Sequence, residues 1–207
     1  MIDIHNHVLF DVDDGVKTLE ESIKILKEYN SHGIKYVVLT PHVNHPTVKT
    51  DISVINNHYA SLTGATKDIG VNIFLGCELY LTPRADKFIP IFDRFLLVEL
   101  DTVTYPLYLF DKIFDLQLEG YEIILAHVER YQWLKENRNV IKKLKEMNVY
   151  FQMNINSTKE DKFFLKEGLI EFIATDYHGS ERSAINWEMF KKYQDLIDKS
   201  MKILKIK

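Results

Sequence analysis

Residues 1–15, MIDIHNHVLFDVDDG, combine a short apolar strand with a group of potential metal ligands. Side chains two positions apart in a strand point to the same side, so His5 and His7 should project together where the strand begun by Ile2 ends. The acidic turn that follows carries Asp14, a hard oxygen ligand beside the borderline imidazole nitrogens. Two histidines at this spacing are often ordinary packing residues, but the strand and the turn together predict the opening of a metal site.

Six further apolar segments follow along the chain, and segments with helical periodicity separate them. Strands are predicted at residues 35–40, 71–75, 94–100, 122–126, 149–153 and 170–175. Helices are predicted at residues 18–31, 52–67, 105–118, 133–147, 159–167 and 184–199. Parallel strands need crossover connections that pack on the faces of the sheet, so the alternation predicts an α/β fold with a parallel sheet. The periodicity does not distinguish an open sheet from a barrel.

Residues with metal-binding side chains stand at the ends of the predicted strands and in the first loop. They are His5, His7, Asp14, His42, Glu78, Glu99, His127, Asp176 and His178. Functional residues of parallel α/β folds collect at the carboxyl ends of the strands, so we expect this set to converge. A catalytic zinc takes about three protein ligands, so the size of the set predicts two or three ions with a bridging carboxylate such as Glu78. Considered one at a time, these residues have ordinary structural explanations: Glu99 could cap a helix, and His127 could be a buried core histidine.

Length and composition predict one globular domain that spans residues 1–207, and 46% of the residues are hydrophobic. The net charge of −4, from 26 basic and 30 acidic residues, gives no reason to expect nucleic acid as a partner. No apolar run approaches the ~20 residues of a membrane span, and no basic and apolar leader is recognisable. With a single cysteine, Cys77, no intrachain disulfide can form. We therefore expect a cytoplasmic protein without membrane insertion.

The motifs HNH, DDG, TPH, GCELY, VEL, AHVERY and TDYH occur in this order along nearly the whole chain. In order and spacing they resemble the PHP (polymerase and histidinol phosphatase) superfamily. Within it, the sequence is most similar to the bacterial protein-tyrosine phosphatases of capsule and exopolysaccharide operons, the CpsB/CapC type. The resemblance implies a distorted (β/α)7 TIM-like barrel of the PHP type with a three-metal centre, usually assigned manganese. It also implies hydrolysis of phosphotyrosine on a cognate bacterial tyrosine kinase.

The resemblance further implies how the ligands are shared among three ions. The first ion would be held by His5, His7, Glu78 and Asp176. The second would take Glu78, Glu99 and His127, and the third would take Asp14, His42 and His178. The two phosphate-binding arginines of the family fall on Arg130 and Arg182. The chain is shorter than the family usually is around residues 46–69 and 157–167, so Arg182 aligns across a shortened loop. Histidine ligation would also allow iron or zinc.

A metal-dependent mechanism and a cysteine mechanism make different demands on the sequence. Adjacent metal ions activate water and neutralise phosphoryl charge, and arginine pairs with phosphoryl oxygens bidentately. A cysteine phosphatase loop around Cys77 would need arginine at position 83, but that residue is Pro83, and Arg84 is one place late. The sequence therefore favours metal-dependent hydrolysis, with Cys77 as a small core residue.

Three functions remain open from the sequence. The first is a metal-dependent protein-tyrosine phosphatase in capsule or exopolysaccharide synthesis, the second a phosphoesterase for a small phosphomonoester such as histidinol phosphate, and the third a noncatalytic metal-dependent binding protein. The complete ligand set favours an enzyme, because a binding module has no need for open metal positions. A phosphotyrosine pocket needs aromatic walls, for which the candidates are Phe10, Tyr80, Tyr131 and Tyr177. The sequence does not indicate the oligomeric state.

Overall fold

The computed structural model describes residues 1–159, 162–182 and 184–206, and strands and helices alternate within these ranges. The strands are β1 (Ile2–Asp3), β2 (Tyr36–Leu39), β3 (His42–Val43), β4 (Asn72–Leu75), β5 (Glu78–Tyr80), β6 (Phe95–Glu99), β7 (Glu122–Leu125), β8 (Tyr150–Asn154) and β9 (Phe172–Ala174). The helices are α1 (Leu19–Ser31), α2 (Ile52–Ala65), α3 (Leu109–Leu118), α4 (Gln132–Glu136), α5 (Arg138–Glu146), α6 (Phe163–Lys166), α7 (Trp187–Lys192) and α8 (Gln194–Ile203). Short 3-10 helices, Val128–Arg130 and Ile155–Lys159, follow β7 and β8.

These strands pair in parallel in two sheets, with the orders β1-β2-β4 and β3-β5-β6-β7-β8-β9. β2 and β3 are two parts of one interrupted strand, and so are β4 and β5. The nine strands therefore occupy seven strand positions, as predicted. Pro41 lies in the first break, where it has no N–H to donate to a ladder. A Cβ atom on Gly76 in the second break would lie 2.5 Å from Ile91 Cγ1, so only glycine fits there. The second part of each interrupted strand begins with a predicted ligand, His42 in β3 and Glu78 in β5.

Backbone hydrogen bonds connect the last strand to the first and close the sheets into a barrel. The Asp176 N–H donates to the His5 carbonyl, and the His7 N–H donates to the Tyr177 carbonyl, each at 2.8 Å. Asn6 and Tyr177 also pair as a parallel bridge at this closure. The architecture is therefore the distorted (β/α)7 TIM-like barrel that the sequence resemblance implies, and not an open sheet.

A buried carboxylate reinforces the closure. Asp3 is fully buried, and it accepts hydrogen bonds from Thr175 Oγ1 at 2.6 Å, from the Thr175 N–H at 3.0 Å and from the Tyr29 hydroxyl at 2.5 Å. Asn6 Nδ2 adds a bond of 3.2 Å. Burial raises the pKa of Asp3, and the bonds from Thr175 and Tyr29 oppose that rise. One side chain thus connects β1, the end of β9 and helix α1.

Local sequence signals set several helix ends, but one of the predicted helices is divided into two helices in the structure. The Thr18 side chain accepts the Glu21 N–H at 3.2 Å, which confirms the predicted start of α1. The prediction of one helix over residues 133–147 is wrong. Asn137, with φ −122° and ψ 84°, interrupts it, and its side chain accepts the Val140 N–H to cap α5. Asparagine favours such caps because its side-chain oxygen satisfies a free N–H of the first turn.

The carboxyl-terminal part of the chain also differs from prediction. The single helix predicted at residues 184–199 begins later, is interrupted at Tyr193 and continues as α8 beyond its predicted end. The helix predicted at residues 159–167 is represented by the short α6, while residues 160 and 161 lie outside the described residues. Within the described ranges, every helix is too short or too polar to cross a membrane.

Thr175→Val keeps the shape of the side chain and removes the hydroxyl that donates to Asp3. We expect the free energy of unfolding to fall by ~1–3 kcal/mol, because a buried carboxylate loses a hydrogen-bond donor. Urea unfolding followed by circular dichroism measures the change. Thr63→Val is the matched control, since the Thr63 hydroxyl donates to the Tyr59 carbonyl within α2. Equal losses in the two variants would contradict the role assigned to Asp3.

Candidate metal centre

The nine predicted ligands meet at the carboxyl end of the barrel. His5 and His7 follow β1, Asp14 lies in the next loop, His42 and Glu78 open β3 and β5, Glu99 closes β6, His127 follows β7, and Asp176 and His178 follow β9. All are buried except Asp14 and His178, which are partly exposed. The structure brings every member of the set into groups whose ligand atoms lie within 4.8 Å of one another. Metal binding by these residues stays a prediction.

Glu78 lies at the middle of the cluster. Its Oε1 lies 2.8 Å from His127 Nε2 and 3.3 Å from His5 Nε2. Its Oε2 lies 3.3 Å from His7 Nε2 and 3.1 Å from His42 Nδ1. The two oxygens of one carboxylate therefore face different imidazoles, which is the arrangement that a carboxylate bridging two ions requires.

Two aspartates flank the histidines on the other sides of the cluster. Asp176 Oδ1 lies 3.5 Å from His7 Nε2. Asp14 Oδ1 lies 3.6 Å from His42 Nε2 and 3.8 Å from His178 Nε2. The rings of His7 and His178 stack with centroids 3.8 Å apart, so His7 joins the two parts of the cluster.

The cluster contains many buried polar atoms without hydrogen-bond partners. Among the residues that the structure describes, such atoms are His5 Nε2, His7 Nε2, Asp14 Oδ1, His42 Nδ1, Glu99 Oε2, His127 Nδ1, Glu129 Oε2 and Asp176 Oδ1. All of them except Glu129 Oε2 belong to predicted ligands. Buried polar atoms in folded proteins nearly always have partners, so this concentration of imidazole nitrogens and carboxylate oxygens fits divalent cations.

The second ring nitrogen of three histidines faces an oxygen atom. The pairs are His5 Nδ1 with Gln152 Oε1 at 3.0 Å, His7 Nδ1 with Asp13 Oδ2 at 2.7 Å, and His178 Nδ1 with the Asp176 carbonyl at 2.9 Å. An oxygen acceptor requires the proton on Nδ1, so in the neutral ring, the form that binds a cation, the Nε2 lone pair faces the cluster. This is the usual arrangement of metal-binding histidines.

Gln152 and Asp13 orient predicted ligands, and sequence reasoning did not assign them this role. Gln152 Nε2 donates to Asn154 Oδ1 at 2.9 Å, while its Oε1 accepts the His127 N–H at 2.7 Å, so the orientation of the amide is fixed. The available signal was a glutamine inside an otherwise apolar strand, YFQMN. For Asp13, the signal was its place in the acidic turn.

The DDG turn packs directly against the histidine pair. Asp13 Oδ1 accepts the Gly15 N–H at 2.9 Å, and Asp13 Oδ2 accepts the His42 N–H at 3.1 Å. A Cβ atom on Gly15 would lie 2.3 Å from the His7 carbonyl oxygen, so no larger residue fits. The glycine therefore allows the turn to approach the end of β1 closely enough for Asp13 to reach two histidines.

Two of the predicted ligands occupy the left-handed backbone region immediately after their strands. His127 has φ 30° and Asp176 has φ 50°. This conformation is unfavourable for residues other than glycine, and it is retained only where neighbouring contacts enforce it. The His127 N–H is bonded to Gln152 Oε1 and the Asp176 N–H to the His5 carbonyl. The barrel thus holds both ligands in place at a cost in backbone energy.

Crowding of charges shifts the pKa values of the cluster in opposite directions. Burial alone would raise the pKa of Glu78, but His5 and its other histidine partners hold that pKa well below the usual range. Burial alone would lower the pKa of His5, but Glu78 and Asp176 raise it to about 9. Burial, with the charge of Glu78 added, raises the pKa of Glu99 to about 8. The Glu78 and Glu99 carboxylates repel each other when both are ionised, and bound cations would relieve this repulsion.

Arg130 and Arg182 lie beside the cluster, in a cavity of about 350 Å³. Arg130 Nη2 donates to Asp176 Oδ2, and Arg182 Nη2 donates to Asp14 Oδ2 at 2.7 Å. Their side chains are 45% and 52% exposed, so both guanidinium groups are accessible from solvent. The structure places both arginines next to the predicted ligands. Phosphate binding by them stays a prediction.

Two of the four candidate pocket walls, Tyr131 and Tyr177, are packing residues. Tyr131 is fully buried, and its hydroxyl accepts the Leu100 N–H at 3.1 Å, which satisfies a backbone donor just beyond β6. Tyr177 is also buried in the core. Phe10 and Tyr80 keep partly exposed positions.

His45 joins this cavity although sequence reasoning did not select it. Its Nε2 lies 3.7 Å from Glu99 Oε2, and its ring centroid lies 4.5 Å from that of His42. Burial lowers the pKa of His45. The signal available in the sequence was a second histidine three positions after His42, in HVNH.

Cys77 is a buried core residue, as predicted from the sequence. Burial raises the pKa of its thiol to about 12, and Sγ accepts the Ile89 N–H at 3.1 Å. A thiol with this pKa carries almost no thiolate near neutral pH, so Cys77 is unsuited to nucleophilic attack.

The fold and the ligand cluster define a PHP-type barrel, and a solved structure shares it. That structure, of YwqE from Bacillus subtilis and CpsB from Streptococcus pneumoniae, is described as representing unique metal-dependent tyrosine phosphatases. It matches with a TM-score of 0.83 and 24% sequence identity over 96% of this chain and 87% of the other. This likeness concerns the fold.

The family model for capsular polysaccharide synthesis proteins, CpsB/CapC, matches residues 1–202, and the chain belongs to this family. CapC of Staphylococcus aureus is 32% identical over 196 residues, which cover 86% of this chain and 77% of CapC. The tyrosine-protein phosphatase CpsB of Streptococcus agalactiae is 29% identical over 201 residues, which cover 86% of this chain and 83% of CpsB. The family resemblance found in the sequence motifs is thereby confirmed.

Asp13→Asn keeps the size of the residue that orients His7 and removes its charge. We expect the affinity of the metal-stripped protein for Mn²⁺ to fall ~10–100-fold, because the outer partner of a ligating histidine is weakened. Isothermal titration calorimetry measures this affinity. Asp11→Asn is the matched control, since it makes the same charge change on an exposed residue of the same turn. An unchanged affinity in Asp13→Asn would contradict the assignment.

Proposed function

We propose that this chain is a metal-dependent protein-tyrosine phosphatase. The observation that carries the proposal is the concentration of unpartnered imidazole and carboxylate atoms at one end of the barrel, with Arg130 and Arg182 beside it. Membership of the CpsB/CapC family supports it, since the relative CpsB is named a tyrosine-protein phosphatase. We infer that the substrate is a phosphotyrosine-bearing protein in the cytoplasm, a cognate bacterial tyrosine kinase that controls capsule or exopolysaccharide synthesis.

The proposed cofactor is a set of two or three divalent cations, with manganese as the first choice and iron or zinc as alternatives. The proposed ligand groups are His5, His7, Glu78 and Asp176 for the first ion; Glu78, Glu99 and His127 for the second; and Asp14, His42 and His178 for the third. The central position of Glu78 supports a shared ligand between the first two groups. Mixed imidazole and carboxylate sites suit all three metals, so the ligand set does not select one of them.

Hydrolysis of a phosphate monoester is among the slowest uncatalysed biological reactions, and the site must offset a large barrier. Bound cations would supply Lewis acidity that activates water and neutralises phosphoryl charge. The guanidinium groups of Arg130 and Arg182 would bind the remaining phosphoryl oxygens, since each offers a planar fork of donors. Each arginine already bonds an anionic oxygen beside the cavity, which supports this role.

The exposure of the site supports a protein substrate. The cavity lies at the barrel mouth, and about half of each arginine side chain is open to solvent. A phosphotyrosine on a flexible segment can enter such a site because only the phosphorylated side chain has to reach the cluster. Histidinol phosphate would instead need acidic groups to bind its amine.

The substrate assignment is tested with protein stripped of metal and reconstituted with Mn²⁺. We expect a higher kcat/KM for a phosphotyrosine peptide than for histidinol phosphate, with activity lost on chelation and restored by Mn²⁺. The opposite preference would overturn the tyrosine phosphatase assignment and leave a metal-dependent phosphoesterase. A reconstituted protein with full metal content and no hydrolysis of either substrate would overturn catalysis itself.

Cys77→Ser should retain most of the phosphotyrosine phosphatase activity. The thiol is buried and protonated, and a serine hydroxyl can still accept the Ile89 N–H. Steady-state kinetics with the peptide substrate measures the effect, and a chelator added to the same variant provides the comparison. A variant that binds metal normally but loses activity would support the cysteine mechanism.

Arg130→Ala should raise KM and lower kcat for a phosphotyrosine peptide, reducing kcat/KM roughly 10²-fold, because a donor to the charged phosphoryl group is removed. Metal content, measured by mass spectrometry, should remain that of the wild type. Arg138→Ala is the matched control, since Arg138 is a largely exposed arginine paired with Glu167 on the surface. Loss of metal in Arg130→Ala would instead indicate that the pair with Asp176 maintains the cluster.

A further inference from the structure

His45 lies in the loop after β3 and shares the cavity with both arginines. It lines that cavity together with Arg130 and Arg182, and 18% of its side chain is exposed. The ring is held from two sides, by His42 at a centroid distance of 4.5 Å and by the edge-on ring of Tyr80 at 5.4 Å. Its position is therefore set before any substrate arrives.

Hydrogen bonds from the loop determine which nitrogen of His45 carries the proton. His45 Nδ1 lies 3.1 Å from the Val48 N–H nitrogen and 3.3 Å from that of Thr47, in donor geometry. A backbone N–H can only donate, so Nδ1 must accept and cannot carry a proton. The ring is therefore neutral, and its proton lies on Nε2.

This arrangement is the reverse of that in the predicted ligands. In His5, His7 and His178, Nδ1 faces an oxygen, so Nε2 offers a lone pair when the ring is neutral. In His45, Nε2 carries the proton and has no lone pair for a cation. The distances between His45, His42 and Glu99 would allow the three side chains to share one ion if His45 Nε2 had a free lone pair. His45 is thus a hydrogen-bond donor at the edge of the cluster.

The Nε2–H of His45 has no hydrogen-bond partner among the residues that the structure describes. Glu99 Oε2 lies 3.7 Å away, which is beyond hydrogen-bonding distance. A fixed donor without a partner, beside two arginines, is suited to an anionic oxygen. We propose that His45 is a substrate-binding residue that donates from Nε2 to a phosphoryl oxygen. This inference rests on the proposed function, because it requires a phosphoryl group in the cavity.

Two substitutions test the roles of the two nitrogens of the His45 ring separately. In His45→Asn, the side-chain oxygen can replace Nδ1 as acceptor for the Thr47 and Val48 N–H groups, but the donor at Nε2 is lost. In His45→Gln, the longer amide places a donor near the former position of Nε2. The pair therefore distinguishes the binding role from the role in the loop.

The experiment measures binding of inorganic phosphate to the Mn²⁺-loaded wild type and both variants by calorimetry, with metal content measured by mass spectrometry. We expect His45→Asn to raise the phosphate Kd ~10–100-fold, the range for a hydrogen bond to a charged group. His45→Gln should restore most of this affinity. Metal content should be unchanged in both variants.

Three results would overturn the inference. Unchanged phosphate affinity in His45→Asn would show that the ring acts only in the loop. Equal losses of affinity in both variants would exclude the donor role, and loss of metal in either would make His45 a ligand. Phosphotyrosine hydrolysis by the wild type is measured separately. If the two variants show the expected changes in phosphate Kd but the wild type does not hydrolyse phosphotyrosine, the proposed function is overturned. The role of His45 in phosphate binding is then retained.

Discussion

Closure of the barrel between β9 and β1 is the interaction on which the site depends. The bond from the Thr175 N–H to Asp3 joins residues 172 positions apart, and two backbone bonds continue the closure toward the barrel mouth. These contacts bring His5 and His7 from the start of the chain beside Asp176 from near its end. Without closure, the same residues would lie at opposite edges of an open sheet, and no common ion could reach them.

The closed barrel holds a cluster that is unfavourable by itself. Buried carboxylates and imidazoles lose their hydration, and two of the predicted ligands, His127 and Asp176, occupy an unfavourable backbone region. A surrounding layer of acceptors, including Asp13 and Gln152, fixes the ligand rings and offsets part of this cost. Cations would offset more of it, since they satisfy atoms that have no other partner. Stability of the fold and order of the site are therefore coupled.

Most of the candidate site could be predicted from the sequence because its residues follow strands, and strand ends are readable from local patterns. Roles that depend on how a turn or loop folds around a side chain could not be predicted, even where the partner is close in the sequence. The motifs HNH and HVNH look alike, yet His7 faces a carboxylate while His45 faces backbone N–H groups. The tautomer, and with it the capacity to bind a cation, follows from that difference. The Tyr131 hydroxyl accepts the N–H of Leu100, just beyond β6, and this contact is also absent from the local sequence.

The sequence by itself determined the alternation of strands and helices, the order of the predicted ligands and the family of the protein, because each depends on residue types at short spacing. It also determined that Cys77 is not part of a cysteine phosphatase loop. Only the tertiary structure decided which hydrogen bonds close the barrel between β9 and β1, and that Gln152 orients two histidines. These outcomes depend on contacts between residues far apart in the chain, and such contacts have no local pattern in the sequence.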